Sequence, residues 1–170
     1  VPFGMVTGLA QGAAPLIAYN NGAKKYDKMK TTLKLSLCYC VGLAITVLIV
    51  VESAAGALIE VFIKDASTVT YGEKFLRLHC ASLPFMAVTF MLVSYFQAVG
   101  AKGKAFLLSI IRKGIVDIPL MYLLNVLIPV YGTVACQPIT DVISATVGVI
   151  LYVLWKKKFQ KTEEEQEIIV

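Results

Sequence analysis

The sequence predicts an all-α fold, a polytopic membrane helix bundle with about five transmembrane helices. Three observations support this fold class. Hydrophobic residues make up 58% of the 170 residues, and the mean hydropathy of +0.75 exceeds that of soluble domains. The apolar residues fall into long runs, each close to the length that crosses a bilayer as a helix. The lysines concentrate between these runs, as topology-determining charges do.

The predicted transmembrane bundle covers residues 1–155. Its spans are Val1–Tyr19, Leu33–Val51, Leu78–Val99, Ala105–Ile128 and Tyr131–Trp155. The first run begins without an initiator Met and lacks the basic region and cleavage site of a signal peptide, so we expect a helix entered partway along a longer chain. It is predicted to break at Asn20-Asn21-Gly22, directly before a group of lysines.

The distribution of basic residues predicts the orientation. If the connectors 20–32 and 100–104 and the charged tail 156–170 share one side, the opposite side carries only Lys64, Lys74 and Arg77. The lysine-rich side is therefore predicted to be cytoplasmic, in a multi-pass protein of the inner (cytoplasmic) membrane with a cytoplasmic C-terminus. Its basic residues are Lys24, Lys25, Lys28, Lys30, Lys34, Lys102, Lys104, Lys156, Lys157, Lys158 and Lys161.

The connector between the second and third spans, Glu52–Arg77, is the longest one. Its first part, Ser53–Ile63, is apolar but too short to cross the bilayer, so we expect it to lie along the interface or to re-enter. The span that follows is then expected to begin as a helix that stands out of the membrane.

Charged residues inside the spans are the candidate functional residues, because each costs about 2.5–3.5 kcal/mol to insert. Counting at roughly 1.5 Å per residue places Asp117 and Asp141 at nearly the same depth, near the midplane, with Arg112 closer to the cytoplasm. Coupling-ion and substrate sites of secondary transporters tend to lie at that midplane depth.

Two interpretations of these charges remain open. Lys113 and Asp117 are four residues apart on one helix and can pair, and Arg112 can pair with Asp141 across the helices. The charges then either lock the helices together or include a group that titrates during transport. Gln137 and Gln11 add uncharged polarity within the spans and complete the set of transport or coupling candidates.

Several functional classes are not supported. The cysteines have no metal-ligand spacing and His79 is the only histidine, so no metal site and no cofactor are predicted. No catalytic triad, phosphate-binding loop or H-E-x-x-H motif occurs, so no enzyme is predicted. The net charge of +5 comes from lysines in connectors, which argues against nucleic-acid binding.

Three stretches together resemble a known family. They are Q-G-A-A-P-L-I-A-Y-N-N-G-A at Gln11–Ala23, F-Q-A-V-G-A-K-G-K-A at Phe96–Ala105, and L-L-S-I-I-R-K-G-I-V-D-I-P-L at Leu107–Leu120, followed by G-T-V-A-C-Q-P-I-T-D at Gly132–Asp141. In this order they resemble the multidrug and toxin extrusion (MATE) transporters, particularly the bacterial MepA/DinF-like branch. The resemblance covers nearly the whole chain.

The resemblance implies a C-terminal fragment of such a transporter. Family members have about twelve helices in two lobes, and this chain resembles the last five, so the N-terminal lobe of the parent chain would be the missing partner. The first-helix aspartate of the family would lie in that lobe. Some relatives also carry an acidic residue in the helix that corresponds to Leu78–Val99, which here contains none.

The predicted function is secondary active transport by alternating access. The resemblance implies antiport of amphipathic or cationic drugs and toxins, coupled to H⁺ or Na⁺, with the lipid bilayer and small-molecule substrates as partners. Two alternatives remain: a flippase of lipid-linked oligosaccharides from the same superfamily, and a truncated membrane scaffold that does not transport.

Overall fold

The structure is a computed structural model in which the described residues form helices and no strand. Its described residues are 2–60, 66–128 and 131–167, with side chains described for most of 4–56, 72–128 and 132–157. The helices are α1 (Pro2–Gly22), α2 (Tyr26–Glu60), α3 (Ala66–Cys80), α4 (Leu83–Ala98), α5 (Lys102–Ile110), a π-helical segment (Ile111–Val116), α6 (Asp117–Leu127) and α7 (Tyr131–Glu167). The predicted all-α fold is confirmed.

Helix α4 forms the centre of the bundle. It packs against α1, α2, α5 and α7, and more than half of its side chains are buried, among them Met91, Leu92 and Phe96. Its lack of charged residues makes this burial possible, because an apolar helix can contact neighbours on every side.

The connection from α1 to α2 differs from the predicted break. Helix α1 continues through Asn20-Asn21-Gly22, and the left-handed residue is Lys24, with φ 55°. The Lys25 amide donates to the Asn20 carbonyl (2.9 Å) and the Lys24 amide to the Asn21 carbonyl (3.1 Å). This is a Schellman C-cap. The prediction that the helix breaks at Asn20-Asn21-Gly22 is therefore wrong. The helix continues to Gly22, and its last carbonyls accept hydrogen bonds from the amides of the two residues that close the turn.

Helix α2 is longer than its predicted span and runs unbroken to Glu60. The prediction that Ser53–Ile63 lies along the interface or re-enters is therefore wrong over 53–60, while residues 61–65 lie outside the described residues. No residue of 53–60 ends the helix. Val51 and Ala55, one turn apart, are both buried on the same face of it. Arg77 of α3 reaches back to Glu52, with 3.5 Å between Nε and Oε2.

The predicted third span is broken near its start. Helix α3 ends at Cys80 and α4 begins at Leu83, with a bend of 43° between them. Pro84 lies in the first turn of α4, where its missing amide costs nothing. A continuous helix would press the proline ring against the Cys80 carbonyl, so the chain turns at Ala81-Ser82 instead.

The predicted fourth span, Ala105–Ile128, contains a π-helical segment, Ile111–Val116. Pro119 lies in the first turn of α6, directly after this segment. In a regular α-helix its ring would meet the carbonyl of Ile115, and the wider π-turn accommodates that clash. Arg112 and Lys113 both belong to the π-helical segment, so it sets the direction of their side chains.

Helices α6 and α7 are joined by a close approach at Gly132. A Cβ atom there would collide with the backbone carbonyl of Leu124, so no other residue fits without backbone movement. Pro138 lies inside α7 without ending it. The predicted tail 156–170 continues α7 as helix to Glu167, and residues 168–170 lie outside the described residues.

Length and hydropathy identify α2 over Tyr26–Gly56 and α7 over Gly132–Lys157 as able to cross a membrane. The bent pair α3–α4 adds a third crossing if it counts as one span, and the search covers only the described residues. Helix α5, the π-helical segment and α6 follow one another without a gap over residues 102–127, so α5 and α6 are parts of one helical stretch and neither is a separate crossing. The count of five spans stays a prediction.

Candidate functional site

The charged residues of the spans meet where the π-helical segment and α6 pack against α7. Arg112 of the π-helical segment and Asp141 of α7 are both buried, with side chains 8% and 2% exposed. Buried ionised groups require partners, because removing a charge from water without compensation is costly. The two residues supply that compensation to each other.

Arg112 makes an ion pair with Asp141 through two donors. Its Nε lies 2.9 Å and its Nη2 2.8 Å from Oδ1 of Asp141. The guanidinium also lies over the ring of Phe90 on α4, 4.6 Å from the centroid. A cation over an aromatic face is attracted to the electron-rich ring. Arg112 therefore connects three parts of the bundle: the π-helical segment, α7 and α4.

Asp117 is held differently. Its Oδ2 lies 3.4 Å from Nζ of Lys113, whose side chain is 56% exposed. Its Oδ1 accepts a hydrogen bond from Thr140 (3.5 Å) and a weak one from the Cys136 thiol (3.4 Å). These contacts are long, and two of the donors are neutral, so Asp117 is bound more weakly than Asp141.

Helix α7 presents a row of small polar residues to this cluster. Cys136, Thr140 and Ser144 are spaced four residues apart and share one buried face, beside Asp141. The Ser144 hydroxyl is buried and has no hydrogen-bond partner among the described residues. This row gives the cluster neutral donors in addition to its charged ones.

A cavity of about 240 Å³ adjoins the ion pair between α4 and the helix that carries Arg112. Its walls are mostly apolar, and the polar groups of its lining come from Arg112, Lys113, Thr89 and Ser109. Ligand pockets in proteins combine an apolar wall with a few polar groups in this way. Arg112, one partner of the buried ion pair, thus lines this cavity and is not enclosed on every side by packed side chains.

The structure brings together three of the predicted site residues and separates the other two. Arg112 pairs with Asp141 and Asp117 pairs with Lys113, so both predicted ion pairs are present and are neighbours where the π-helical segment and α6 pack against α7. Gln137 is half-buried on α7 but makes no hydrogen bond to the cluster among the described residues. Gln11 is exposed on α1, whose main contacts are with α2 and α4, so it lies apart from the cluster.

Sequence reasoning missed Phe90, Cys136 and Thr140. The four-residue spacing of Cys136, Thr140 and Ser144 was a visible signal for the α7 row, since such residues share a helix face. Phe90 gave no comparable signal, because a phenylalanine in an apolar helix is typical of a core position. No group of three potential metal ligands occurs in the part of the chain that the structure describes.

These features define a polytopic helical membrane protein with a charged cluster inside its bundle. The MatE family model matches residues 2–123, which is more than half of the chain. The chain belongs to the MatE family of multidrug and toxin extrusion transporters. The family that the sequence motifs resemble is confirmed.

The relatives are longer proteins. The chain is 27% identical to the multidrug export protein MepA of Staphylococcus saprophyticus over 161 residues, covering 95% of this chain and 35% of that protein. It is 25% identical to MepA of Staphylococcus haemolyticus over 165 residues, covering 97% and 36%. The chain therefore spans about a third of the length of the curated relatives it matches.

A solved structure shares the fold. It is an inward-facing conformation of a multidrug resistance MATE family transporter of the MOP superfamily, with a TM-score of 0.83 and 17% sequence identity. The match covers 92% of this chain and 37% of that one. The helix arrangement described above is thus that of one part of a MATE transporter.

Proposed function

We propose that this chain forms the C-terminal part of a multidrug efflux transporter that exchanges amphipathic or cationic compounds for H⁺ or Na⁺. Membership in the MatE family supports the transport class. Relatives named for multidrug export support the substrate class. Because the chain spans about a third of their length, the N-terminal lobe would supply the opposite wall of the substrate pathway.

The observation that carries this proposal is the unequal binding of the two carboxylates. Asp141 accepts both short contacts from buried Arg112, so losing either partner would leave an uncompensated charge in the bundle. Asp117 has only long contacts, one of them to a largely exposed lysine. In the proposed mechanism Asp141 keeps the helices in place, while Asp117 exchanges its lysine for the coupling ion.

The proposed orientation follows the lysine distribution, with the C-terminus in the cytoplasm and the cluster near the midplane. Drugs would then enter from the cytoplasmic side when the lobes open inward. Apolar surface beside fixed charges suits amphipathic compounds, because such ligands need both apolar contact and a polar group that fixes their orientation.

The test measures ethidium efflux from cells that lack their own multidrug pumps. The longest reading frame that contains this chain is expressed with Asp117→Asn, with Asp141→Asn, or with the control Asp27→Asn at the exposed start of α2. We expect Asp117→Asn to abolish efflux at normal protein abundance, Asp141→Asn to reduce abundance, and the control to behave as wild type. Unchanged efflux and unchanged pH and Na⁺ dependence in both cluster variants would exclude them from coupling.

A membrane scaffold without transport is the second candidate, and it is not favoured, because the matching relatives are named for multidrug export. A single lobe offers one wall of a pathway, so the 170-residue chain by itself is expected to give no substrate flux in proteoliposomes. Flux from the longest reading frame but not from the chain alone would support the transporter. The flippase alternative is not favoured, since the matching relatives are named for drug export.

A further inference from the structure

One end of the bundle carries a group of residues that the transport proposal does not use. We call it the lysine–tryptophan patch: Lys102 and Lys104 in the first turn of α5, and Trp155, Lys156 and Lys157 on α7. Lys104 Nζ lies 5.6 Å from the centroid of the Trp155 ring. Lys104 of α5 therefore contacts the aromatic side chain of α7, and the other three lysines belong to the same end of the bundle.

Trp155 packs against α4 at this position. Its ring makes edge contacts with Tyr95 and Phe96 of α4, with centroid distances of 5.6 and 6.4 Å. It remains half-buried, so part of the indole still faces the surroundings of the bundle. Tryptophans at the ends of membrane helices lie at the level of the lipid headgroups, where the ring contacts both acyl chains and polar groups.

The remaining lysines lie near the level of Trp155 along the bundle, and Lys156 and Lys157, one and two residues after it, project from other sides of α7. Lys102, Lys156 and Lys157 are exposed, and Lys156 and Lys157 follow Trp155 directly at the end of the apolar part of α7. The nearest acidic group along α7 is Glu163–Glu165, which begins six residues after Lys157. At about 1.5 Å per residue it starts roughly 9 Å farther along the helix, beyond the headgroup level.

We infer that the lysine–tryptophan patch binds the phosphodiester headgroup of an anionic phospholipid, such as phosphatidylglycerol. Lysines beside a membrane helix attract anionic lipids, and the apolar face of the indole contacts the upper acyl chain of the same molecule. A lipid bound there bridges α5 to the end of α7. This binding does not depend on transport, so it is tested separately from the proposed function.

Trp155 is the only tryptophan of the chain and is therefore a built-in reporter. The 170-residue chain is reconstituted in nanodiscs of phosphatidylcholine that contain increasing fractions of brominated phosphatidylglycerol. Brominated acyl chains quench indole fluorescence on contact. Brominated phosphatidylcholine gives the reference for lipid without net charge. The quantity compared is the mole fraction of brominated lipid that halves the fluorescence.

We expect phosphatidylglycerol to reach half-quenching at a mole fraction at least fivefold lower than phosphatidylcholine. The variant K102Q/K156Q/K157Q should lose this preference and reach half-quenching at about the same mole fraction with both lipids. Lys104 is retained because it contacts the reporter ring. The matched control, K25Q/K28Q/K34Q, removes the same charge from exposed lysines near the α1–α2 turn and should keep the preference.

Three outcomes would overturn the inference. They are equal quenching by both lipids in the wild-type chain, equal loss of preference in both triple variants, and complete suppression of the preference by soluble glycerol phosphate. The second would indicate general surface charge, and the third a site for free phosphate groups. Far-UV circular dichroism checks that each variant is helical, and K157Q alone replaces the patch variant if it is not.

Discussion

Arg112 and Asp141 are the residues on which the site depends most. Each is buried, and each is the principal partner of the other's charge among the described contacts. An ion pair in a bundle core contributes little net stability compared with apolar residues of the same shape, but removing one partner strands the other charge. The pair therefore matters more for which helices pack together than for the free energy of unfolding.

Replacing Asp141 with Ala should destabilise the chain by about 3–5 kcal/mol, because Arg112 would remain buried without its carboxylate. Unfolding in mixed detergent micelles, followed by circular dichroism, measures the change. The double variant R112M/D141L should recover most of the loss. Lys113→Ala serves as the control and should cost less than about 1 kcal/mol, since this lysine is mostly exposed. Equal losses in D141A and K113A would contradict the assignment.

The sequence was sufficient to predict both ion pairs. Lys113 and Asp117 pair because residues four apart share a helix face, and Arg112 reaches Asp141 across two neighbouring helices, although the sequence places it closer to the cytoplasm. It was not sufficient to predict Phe90, whose position over Arg112 depends on how α4 is rotated. Nor did it distinguish the tightly held carboxylate from the weakly held one, because burial is a property of packing.

At the scale of elements, the turn after α1 contains a residue in an unfavourable backbone conformation. Lys24 has a positive φ at the C′ position of the Schellman cap, where glycine is usual. For a residue with a Cβ this conformation costs roughly 1–2 kcal/mol. Lys24 belongs to the group of lysines from which the cytoplasmic side is predicted, so the predicted orientation offers a reason for a lysine at this position.

Lys24→Gly should stabilise the chain by about 0.5–1 kcal/mol, because glycine adopts the left-handed conformation without the Cβ penalty but loses more backbone freedom on folding. Thermal unfolding in detergent provides the measurement. Lys34→Gly removes the same charge from the interior of α2 and should destabilise by about 1 kcal/mol. A loss of stability in Lys24→Gly would show that Lys24 is not under strain.

The prolines show how far local sequence predicts element breaks. Pro84, Pro119 and Pro138 are all visible in the sequence, and each removes one backbone donor. The structure gives three different results: a 43° bend before α4, a π-helical segment before α6, and an uninterrupted α7. The choice among these results depends on which neighbours cover the freed carbonyl, which the local sequence does not specify.

At the scale of the whole molecule, α4 packs at the centre of the bundle and α6 lies on its surface. No residue of α6 is buried among the described side chains, and Tyr122, Val126 and Leu127 are each at least 65% exposed. An apolar face of this kind is compatible with lipid, which solvates it without cost. It is also compatible with packing against further chain, since the matching relatives are longer proteins.

The central packing depends on Gly148 of α7. A Cβ there would lie 3.0 Å from Leu92 of α4 and 3.3 Å from Leu108 of α5. Gly148→Leu should therefore push three helices apart and destabilise by about 1–3 kcal/mol, as overpacked cores do. Gly42→Leu, at a helix position with open space, should leave the melting temperature unchanged or raised. Equal melting temperatures for both variants would contradict this packing.

The sequence by itself determined the fold class, the family, and the pairing of Lys113 with Asp117 within one helix. These depend on local rules: the apolar length that a bilayer requires, the period of a helix, and the excess of lysine on one side. The tertiary structure decided where the helices bend, which carboxylate is buried, and that Lys104 of α5 meets Trp155 of α7. These features depend on residues far apart in the chain packing side by side, so no local pattern contains them.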